Sequence, residues 1–468
     1  MACHPALAEF RCVSLSPGPG SPHKPFQKIL DRPARPLHPP SAISILARMR
    51  LSIFCIFFFA LISPAQTISS APACDNANNT SASTSYHSNG SHNASAGQVS
   101  KLPIRSLLYP GATTRIFVRY MPWFGDPHHI NVGYRSNDAQ QVARQVADMA
   151  SRGIQGAIVD WYGPSQGLKN QSTLLLMKAA ERNGGFQFAV SVDKGALGQC
   201  TRGACDPTQR LISVLTYAAS TFEQSPAYIK FDGRPAVFFF GLQRSPIDWQ
   251  RVRSALPLHP LFFFRNSIAF GNPAADGAYS WVAPETVRPD DPMAVRYLER
   301  FYSRAQHSSK IAMGSAYKGF DDAEASWGKG RAINQQCGET WLTTLAEPGE
   351  FFSASHQLPA LIIPTWNDYE EGTEIESGID NCVQVKGKLK GHKLAWRLKG
   401  NSNTVDHVSI LARTTGQWSE VMRAPVHAHA VNLSDLHLSP SASDVCVVAV
   451  GKASILDHAT GPIPIASR

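Results

Sequence analysis

Between residues 364 and 378 the chain reads PTWNDYEEGTEIESG, which sets Asp368, Glu370, Glu371, Glu374 and Glu376 within nine residues of one another. Only 17% of the chain is charged, so this crowding asks for a reason. Asp368 and Glu371 stand three apart, and on one helical turn that spacing puts their Cβ atoms ~5–6 Å apart on the same side. Two carboxyls that close, partly withdrawn from water, drive their pKa values apart, so that one can give a proton and the other take one. An acidic first turn answering a helix dipole accounts for Glu374 and Glu376. It does not require Asp368 to follow Trp366 and Asn367 at the end of an apolar run, 358-LPALIIPTW-366.

That run closes a series of eight. The others are 116-IFVRYMPW-123, 154-IQGAIVDW-161, 186-FQFAVSVD-193, 235-PAVFFFG-241, 261-LFFFRN-266, 278-AYSWVAP-284 and 311-IAMGSA-316. Amphipathic stretches lie between them. In 138-DAQQVARQVADMASR-152, Val142, Val146 and Met149 recur at three or four, with Asp138 as N-cap and Gly153 as the stop. Strands apolar nearly throughout, alternating with helices, belong to a parallel sheet covered by helices, and eight repeats predict a (β/α)8 barrel of the TIM type. An open doubly wound sheet is the alternative, but the sequence offers no Gly-rich phosphate loop for it. After Cys382 the texture changes. Short, partly alternating runs at 383-VQVKGKL-389, 393-KLAWRL-398, 405-VDHVSILAR-413, 428-AHAVNL-433 and 445-VCVVAVG-451, separated by Gly, Asn and Ser turns, predict a small antiparallel β-sandwich of fibronectin III-like appearance over 383–468.

A parallel barrel keeps its active site at the carboxyl ends of its strands. The residues just past each run are therefore informative: Trp123, Phe124 and Asp126 after the first, Asp160-Trp161-Tyr162 after the second, Asp193 after the third, Glu285 after the sixth, Asp321 and Asp322 after the seventh, and Trp366 to Glu371 after the eighth. Carboxylates that move protons, set among flat rings that stack on sugars, are the inventory of a glycoside hydrolase. Asp368 and Glu371 are the expected catalytic pair, and Trp123, Asp160, Trp161, Asp193, Glu285, Trp366 and Asn367 the expected substrate-binding residues. Each of the latter has a plainer reading. Asp160 and Asp193 could hold loop amides, the tryptophans could pack the barrel top, and Glu285 could be a solvated loop residue. His128 and His129 have no ligand-spaced partners, so neither a metal nor a cofactor is expected. A metal-dependent deacetylase using these histidines is the corresponding rival.

The string 365-TWNDYEEGTEI-375 resembles the signature of the family 71 glycoside hydrolases, the α-1,3-glucanases. It is also similar to the Asn-Glu-Trp-x-Glu-Gly-Thr segment of the family 99 endo-α-mannosidases. Both families are (β/α)8 barrels. The regions 120-YMPWFG-125 and 158-IVDWYGP-164 are similar to the first two strands of family 99-like proteins. The resemblance spans 115–380 loosely and is a mosaic, with Gly372-Thr373 following the second pattern and Asp368 the first. It implies Glu371 as general acid and Asp368 as the base that activates water, or that deprotonates a sugar hydroxyl in the mannosidase-like variant. Asn367 and Trp366 would orient them, and Asp160 and Asp193 would hold sugar hydroxyls. The implied partner is a polysaccharide, α-glucan or α-mannan-like, cleaved by an endo-acting enzyme. A barrel that binds such a polymer without cutting it is the non-enzymatic alternative.

The 468 residues suffice for one large domain and one small one. The formal charge of +9 is concentrated early, because residues 1–50 hold seven Lys or Arg against Glu9 and Asp31. No basic stripe with interleaved aromatics follows, which speaks against nucleic acid. Residues 49–66, MRLSIFCIFFFALISPAQ, read as a secretory signal whose apolar core, Leu51 to Ile62, falls short of the ~20 residues that span a bilayer. Met49 is then the expected start, residues 1–48 an extension, 67–103 a polar linker and 104–380 the barrel. The product is expected to be secreted or periplasmic, with no stable membrane span. Of nine cysteines, Cys74, Cys200, Cys205, Cys337, Cys382 and Cys446 remain after the signal and can oxidise there, Cys200 and Cys205 suiting a local disulfide.

Overall fold

The computed structural model describes residues 74–75 and 99–465. The extension at 1–48, the signal at 49–66 and most of the linker at 67–103 lie outside the described residues. The eight apolar runs form β1 (Arg115–Tyr120), β2 (Gly156–Trp161), β3 (Gln187–Asp193), β4 (Arg234–Phe240), β5 (Leu261–Arg265), β6 (Gly277–Tyr279), β7 (Ile311–Ser315) and β8 (Ala360–Ile363). Each pairs in parallel with the next. The ring closes where β8 meets β1, with Arg115 opposite Ala360 and Val118 opposite Ile363. This is a closed eight-stranded parallel barrel of the TIM type.

Helices α1 (Ala139–Ser151), α2 (Gly167–Asn183), α3 (Pro207–Thr221), α4 (Trp249–Ala255), α5 (Val295–Gln306) and α6 (Glu339–Ala346) fill the connections. Asp138 caps α1 by accepting from the amides of Gln140 and Gln141, while Val142, Val146 and Met149 are buried against the barrel. The repeat is not regular. Between β5 and β6 stands only a 3-10 turn, Ser267–Gly271, followed by Asn272 and Pro273, a connection too short and too rich in breakers for an α-helix. Side chains alternate along each strand, so Arg119 and Asp160 turn into the barrel. Their neighbours Tyr120 and Trp161 turn outward, bonding Gln145 of α1 at 2.9 Å and Asn170 of α2 at 3.0 Å.

The carboxyl-terminal part forms two antiparallel sheets. One contains β9 (Gln384–Lys390), β10 (Lys393–Lys399) and β13 (Ala430–Asn432); the other contains β11 (Val405–Thr414), β12 (Gln417–Ala424), β14 (Ala442–Gly451), β15 (His458–Ala459) and β16 (Ile463–Pro464). Val385, Leu394, Trp396, Val408, Ile410 and Val447 make the core between them. β12 is absent from the sequence-based expectation because its residues, QWSEVMRA, are exposed or half-buried except Ala424 and carry no inside-outside alternation. Barrel and sandwich share a seam. Val99 bridges Leu456 and Ile379 bridges Ile455. The Trp341 indole of α6 donates to the Ala453 carbonyl at 3.0 Å. A disulfide joins Cys337 to Cys382, and two more join Cys74 to Cys446 and Cys200 to Cys205. Three disulfides fit an oxidising compartment. Among the described residues no helix is long and apolar enough to cross a membrane.

Candidate active site

The acid-rich segment begins where Pro364, which has no N–H to give, follows the last residue of β8. Asn367 then stitches the exit of β8 to that of β1. Its Oδ1 accepts from the Met121 amide at 2.8 Å and its Nδ2 donates to the Met121 carbonyl at 3.0 Å, so a side chain imitates one more rung of sheet. Residues 368–372 form a tight turn rather than the helical turn expected from their spacing. The reason is local. Asp368 Oδ1 accepts from the amides of both Glu370 and Glu371, at 3.1 and 3.0 Å, and the chain reverses at Gly372, whose φ is +58°. The Asp368 carboxyl is thereby held against the backbone of Glu371.

The five acids sort by partner. Glu370 Oε2 contacts His129 Nδ1 at 2.8 Å, and its Oε1 accepts from the Ile130 amide. Glu374 accepts from Lys318 Nζ at 2.6 Å in a buried ion pair. Glu376 accepts from Gln145, Tyr134 and Tyr369, and burial lifts its carboxyl to about 7. Asp368, Glu371 and Glu376 appear in no ion pair among the described residues, and of these Asp368 and Glu371 lack the ring of three side-chain donors that surrounds Glu376. Asp368 is 2% exposed, and burial, then the neighbouring Glu371 carboxylate, push it well above the usual carboxylate range. Glu371 is also pushed up by burial but is held back by a hydrogen bond from Trp327 Nε1 at 2.9 Å and by the Arg331 charge.

Other expected site residues divide into two groups. Asp160 lies inside the barrel mouth, paired with Arg119 at 2.9 Å, yet its burial outweighs the guanidinium and raises its pKa. Asp193 accepts from the Gly195 amide at 2.6 Å and is lifted to about 7 by burial and by Asp160. The Tyr162 phenol is pushed up by burial and by the carboxylates of Asp160, Asp193 and Asp368, which places one ring among three acids. Trp123 stacks on His129 with centroids 4.6 Å apart and meets Tyr162 and Trp327 edge-on. Asp160, Asp193, Trp123, Asp368 and Glu371 thus converge.

Trp161, Trp366 and Glu285 stand apart from them. Trp161 stacks on Tyr217 of α3 and meets Phe222 edge-on. Its neighbour Asp160 points inward, so period-two alternation sends Trp161 out. Trp366 is fully buried under the Arg152 guanidinium, 4.8 Å from its ring centroid, and Arg152 in turn donates to the carbonyls of Ile375 and Glu376. Trp366 therefore braces the acid segment from behind. Glu285 is an exposed residue of a 3-10 turn.

Sequence reading left out several members of the group. Arg119 is a cation inside the apolar run of β1, a visible signal of an inward-facing pair. It also donates to the Tyr279 hydroxyl at 3.0 Å. Trp327 is 40% exposed and sits in the loop of a two-stranded hairpin, Phe320–Asp321 with Ala332–Ile333, where Asp322 fixes the loop by accepting from the Lys329 and Arg331 amides. No periodicity marks such a loop. Beside this aromatic group a cavity of about 490 Å³ shares His129 and is lined further by Asp126, Ile130, Asn131, Tyr134 and Arg135. Among the described residues no His, Cys, Asp and Glu cluster could hold a metal ion.

No family model and no curated protein matches the chain. Among solved structures it is similar to a family 99 endo-α-mannosidase from Bacteroides thetaiotaomicron, with 17% identity over 57% of this chain and 88% of that one and a TM-score of 0.45. It is similar also to a glycoside hydrolase-like protein, with 13% identity over 57% and 87% and a TM-score of 0.43. A third, a glycoside hydrolase, shares 7% identity over 68% and 88% with a TM-score of 0.35. Likeness at this level carries no argument about activity. The barrel rests on its own strand pairing, and the chemistry on the residues at its mouth.

Proposed function

We propose that the chain is a secreted glycoside hydrolase that cleaves an α-linked polysaccharide, with Asp368 and Glu371 as its proton-transferring pair and an endo-acting α-1,3-glucanase as the finer reading. The observation that carries this is the sorting of the acids. Three of the five crowded carboxylates are engaged by His129, Lys318 or a ring of neutral donors, and the remaining two lie together, Glu371 under the exposed indole of Trp327 and Asp368 against the Glu371 amide. Glu371, partly open to solvent, would protonate the glycosidic oxygen in this reading. Asp368 is deeper and holds a proton more tightly in the free site. A sugar hydroxyl donating to it favours its ionised form, and its raised proton affinity then makes it a strong base toward water or that hydroxyl. Trp327 supplies an exposed flat face for the sugar, with Trp123, stacked on His129, packed edge-on behind it, and Asp160 and Asp193 supply acceptors for the sugar hydroxyls. The predicted signal at 49–66 and the three disulfides support export.

Asp368→Asn and Glu371→Gln are each expected to lower reducing-end release from a susceptible α-glucan by about 10²–10⁴-fold, with thermal unfolding unchanged. Full activity in either variant would remove the assignment. A panel of α-1,3-glucan, other α-glucans and α-mannan with linkage analysis of products fixes the substrate, and retention on a polymer without shortened chains would make the chain a binding protein instead.

A further inference from the structure

The outer face of the three-stranded sheet gathers charge of one sign. β9 presents Lys386, Lys388 and Lys390 to solvent at every second residue, and β10 presents Lys393, Arg397 and Lys399. The antiparallel register sets Lys386 opposite Arg397 and Lys390 opposite Lys393. No acid stands on this face in any of the three strands. Among the described residues none of the six cations is in an ion pair.

Like charges directly opposite one another weaken a sheet, so the arrangement asks for a compensating use. Lysines on an edge strand do discourage edge-to-edge association, and β9 is such an edge. β10, however, pairs with β9 along its length and with β13 over Lys393–Ala395, so Lys393 at least needs no such protection, yet β10 carries half of the cations. Solubility alone is served by interspersed signs. Over 383–468 there are ten Lys or Arg against five Asp or Glu, and six of those ten cations share this one face.

We propose that this face is a docking surface for an acidic polysaccharide, a linear polymer bearing carboxylates at regular intervals. The cations recur about 6.6 Å apart from Lys386 to Lys390 on β9 and between Arg397 and Lys399 on β10, with Lys393 about 13 Å from Arg397, and stand about 5 Å apart where Lys386 faces Arg397 and Lys390 faces Lys393, a flat array along which an extended chain can lie. Five of the six are lysines, point charges that accept a carboxylate without demanding an orientation. No aromatic side chain shares the face, since Trp396 turns into the sandwich core, so bases would find nothing to stack on. It also lacks the large apolar side chains with which an interfacial element enters a bilayer. The surface is separate from the barrel mouth, and its binding does not depend on what the barrel cleaves.

The test is calorimetric titration of the full chain with polygalacturonate at about 0.1 M salt, where exposed charges are still felt over ~10 Å. Neutral α-glucan, vesicles of phosphatidylcholine with phosphatidylglycerol, and a DNA duplex are titrated in parallel. The expected result is binding to polygalacturonate that weakens as salt rises and is tighter than binding to vesicles or duplex. The triple variant Lys386→Gln/Lys388→Gln/Arg397→Gln should weaken it about tenfold or more with Tm unchanged or raised, because the substitutions relieve repulsion. Should the triple variant melt early, Lys386→Arg/Lys388→Arg serves instead and is expected to retain binding. Absence of salt-sensitive binding by the unaltered chain, equal binding by the triple variant, loss of binding in the arginine variant, or tighter binding to vesicles or DNA overturns the proposal. Glycan shortening is not read in this experiment, so its failure and that of the hydrolase reading are distinguishable.

Discussion

The turn at the barrel mouth and the outer face of the sandwich both crowd charges of one sign, with opposite results. At the mouth the crowd is buried. Its carboxylates either find partners, as Glu374 does in Lys318, or hold protons far more tightly than in water, as Asp368 does. On the sheet the crowd is exposed, and water and salt screen each cation from its neighbour. Burial thus decides whether crowding becomes proton affinity, which serves chemistry, or a lasting field, which attracts counter-charge.

That contrast can be broken most forcefully at the buried ion pair. Lys318→Met leaves Glu374 without its cation in a dry site and is expected to destabilise the chain by about 3–5 kcal/mol, read as a shift of the urea midpoint. An unshifted midpoint would mean that the mouth is wetter than its burial implies. The next effect is on pH. The Glu376 carboxyl, ordinarily near 4.5, lies at about 7 in the fold, and Asp457, ordinarily near 3.8, at about 8. As pH rises the unfolded chain loses these protons first, so the fold binds more protons than the unfolded state and stability must fall. Tm is expected to decline from about pH 5 to about pH 8 and then level off, and Glu376→Gln should flatten part of that decline.

Trp327→Phe sharpens the comparison further. The ring remains, but Glu371 loses the N–H that favours its ionised form. We expect kcat/KM to drop about tenfold, the ~1.4 kcal/mol of one charge-assisted hydrogen bond. The alkaline limb of the pH–rate profile should move to higher pH, because Glu371 keeps its proton longer. The smallest effect belongs to the sheet. Lys390→Gln removes one opposed pair and should raise stability by roughly 0.2–1 kcal/mol, visible as a slight rise in Tm.

Much of the barrel was legible because fully buried parallel strands announce themselves as unbroken apolar runs, and all eight runs became strands. The length of the eighth was overread. Its apolar character continues through Trp366, but pairing ends at Ile363, where Pro364 removes a donor. The spacing of Asp368 and Glu371 identified neighbours for a reason that proved local to the turn, since a side chain capping two amides brings them together and no helix does. Trp161 and Trp366 were indistinguishable in sequence from Trp123, because a strand's phase decides which tip residues face inward, and one register step reverses it. Trp327 gave no signal at all. Its partner lies 44 residues away, and only the folded hairpin brings the indole to Glu371.

The seam between barrel and sandwich has a mechanical meaning. The bridges at Val99 and Ile379, the indole of Trp341 and the Cys337–Cys382 link leave little slack for a hinge. A catalytic head on a long flexible leash sweeps a sphere around its anchor. Should the sheet face hold a polymer and the barrel cleave one, as proposed, the chain would work only within arm's length and at a fixed bearing, so that fresh substrate comes from shifting the mooring rather than from swinging the head.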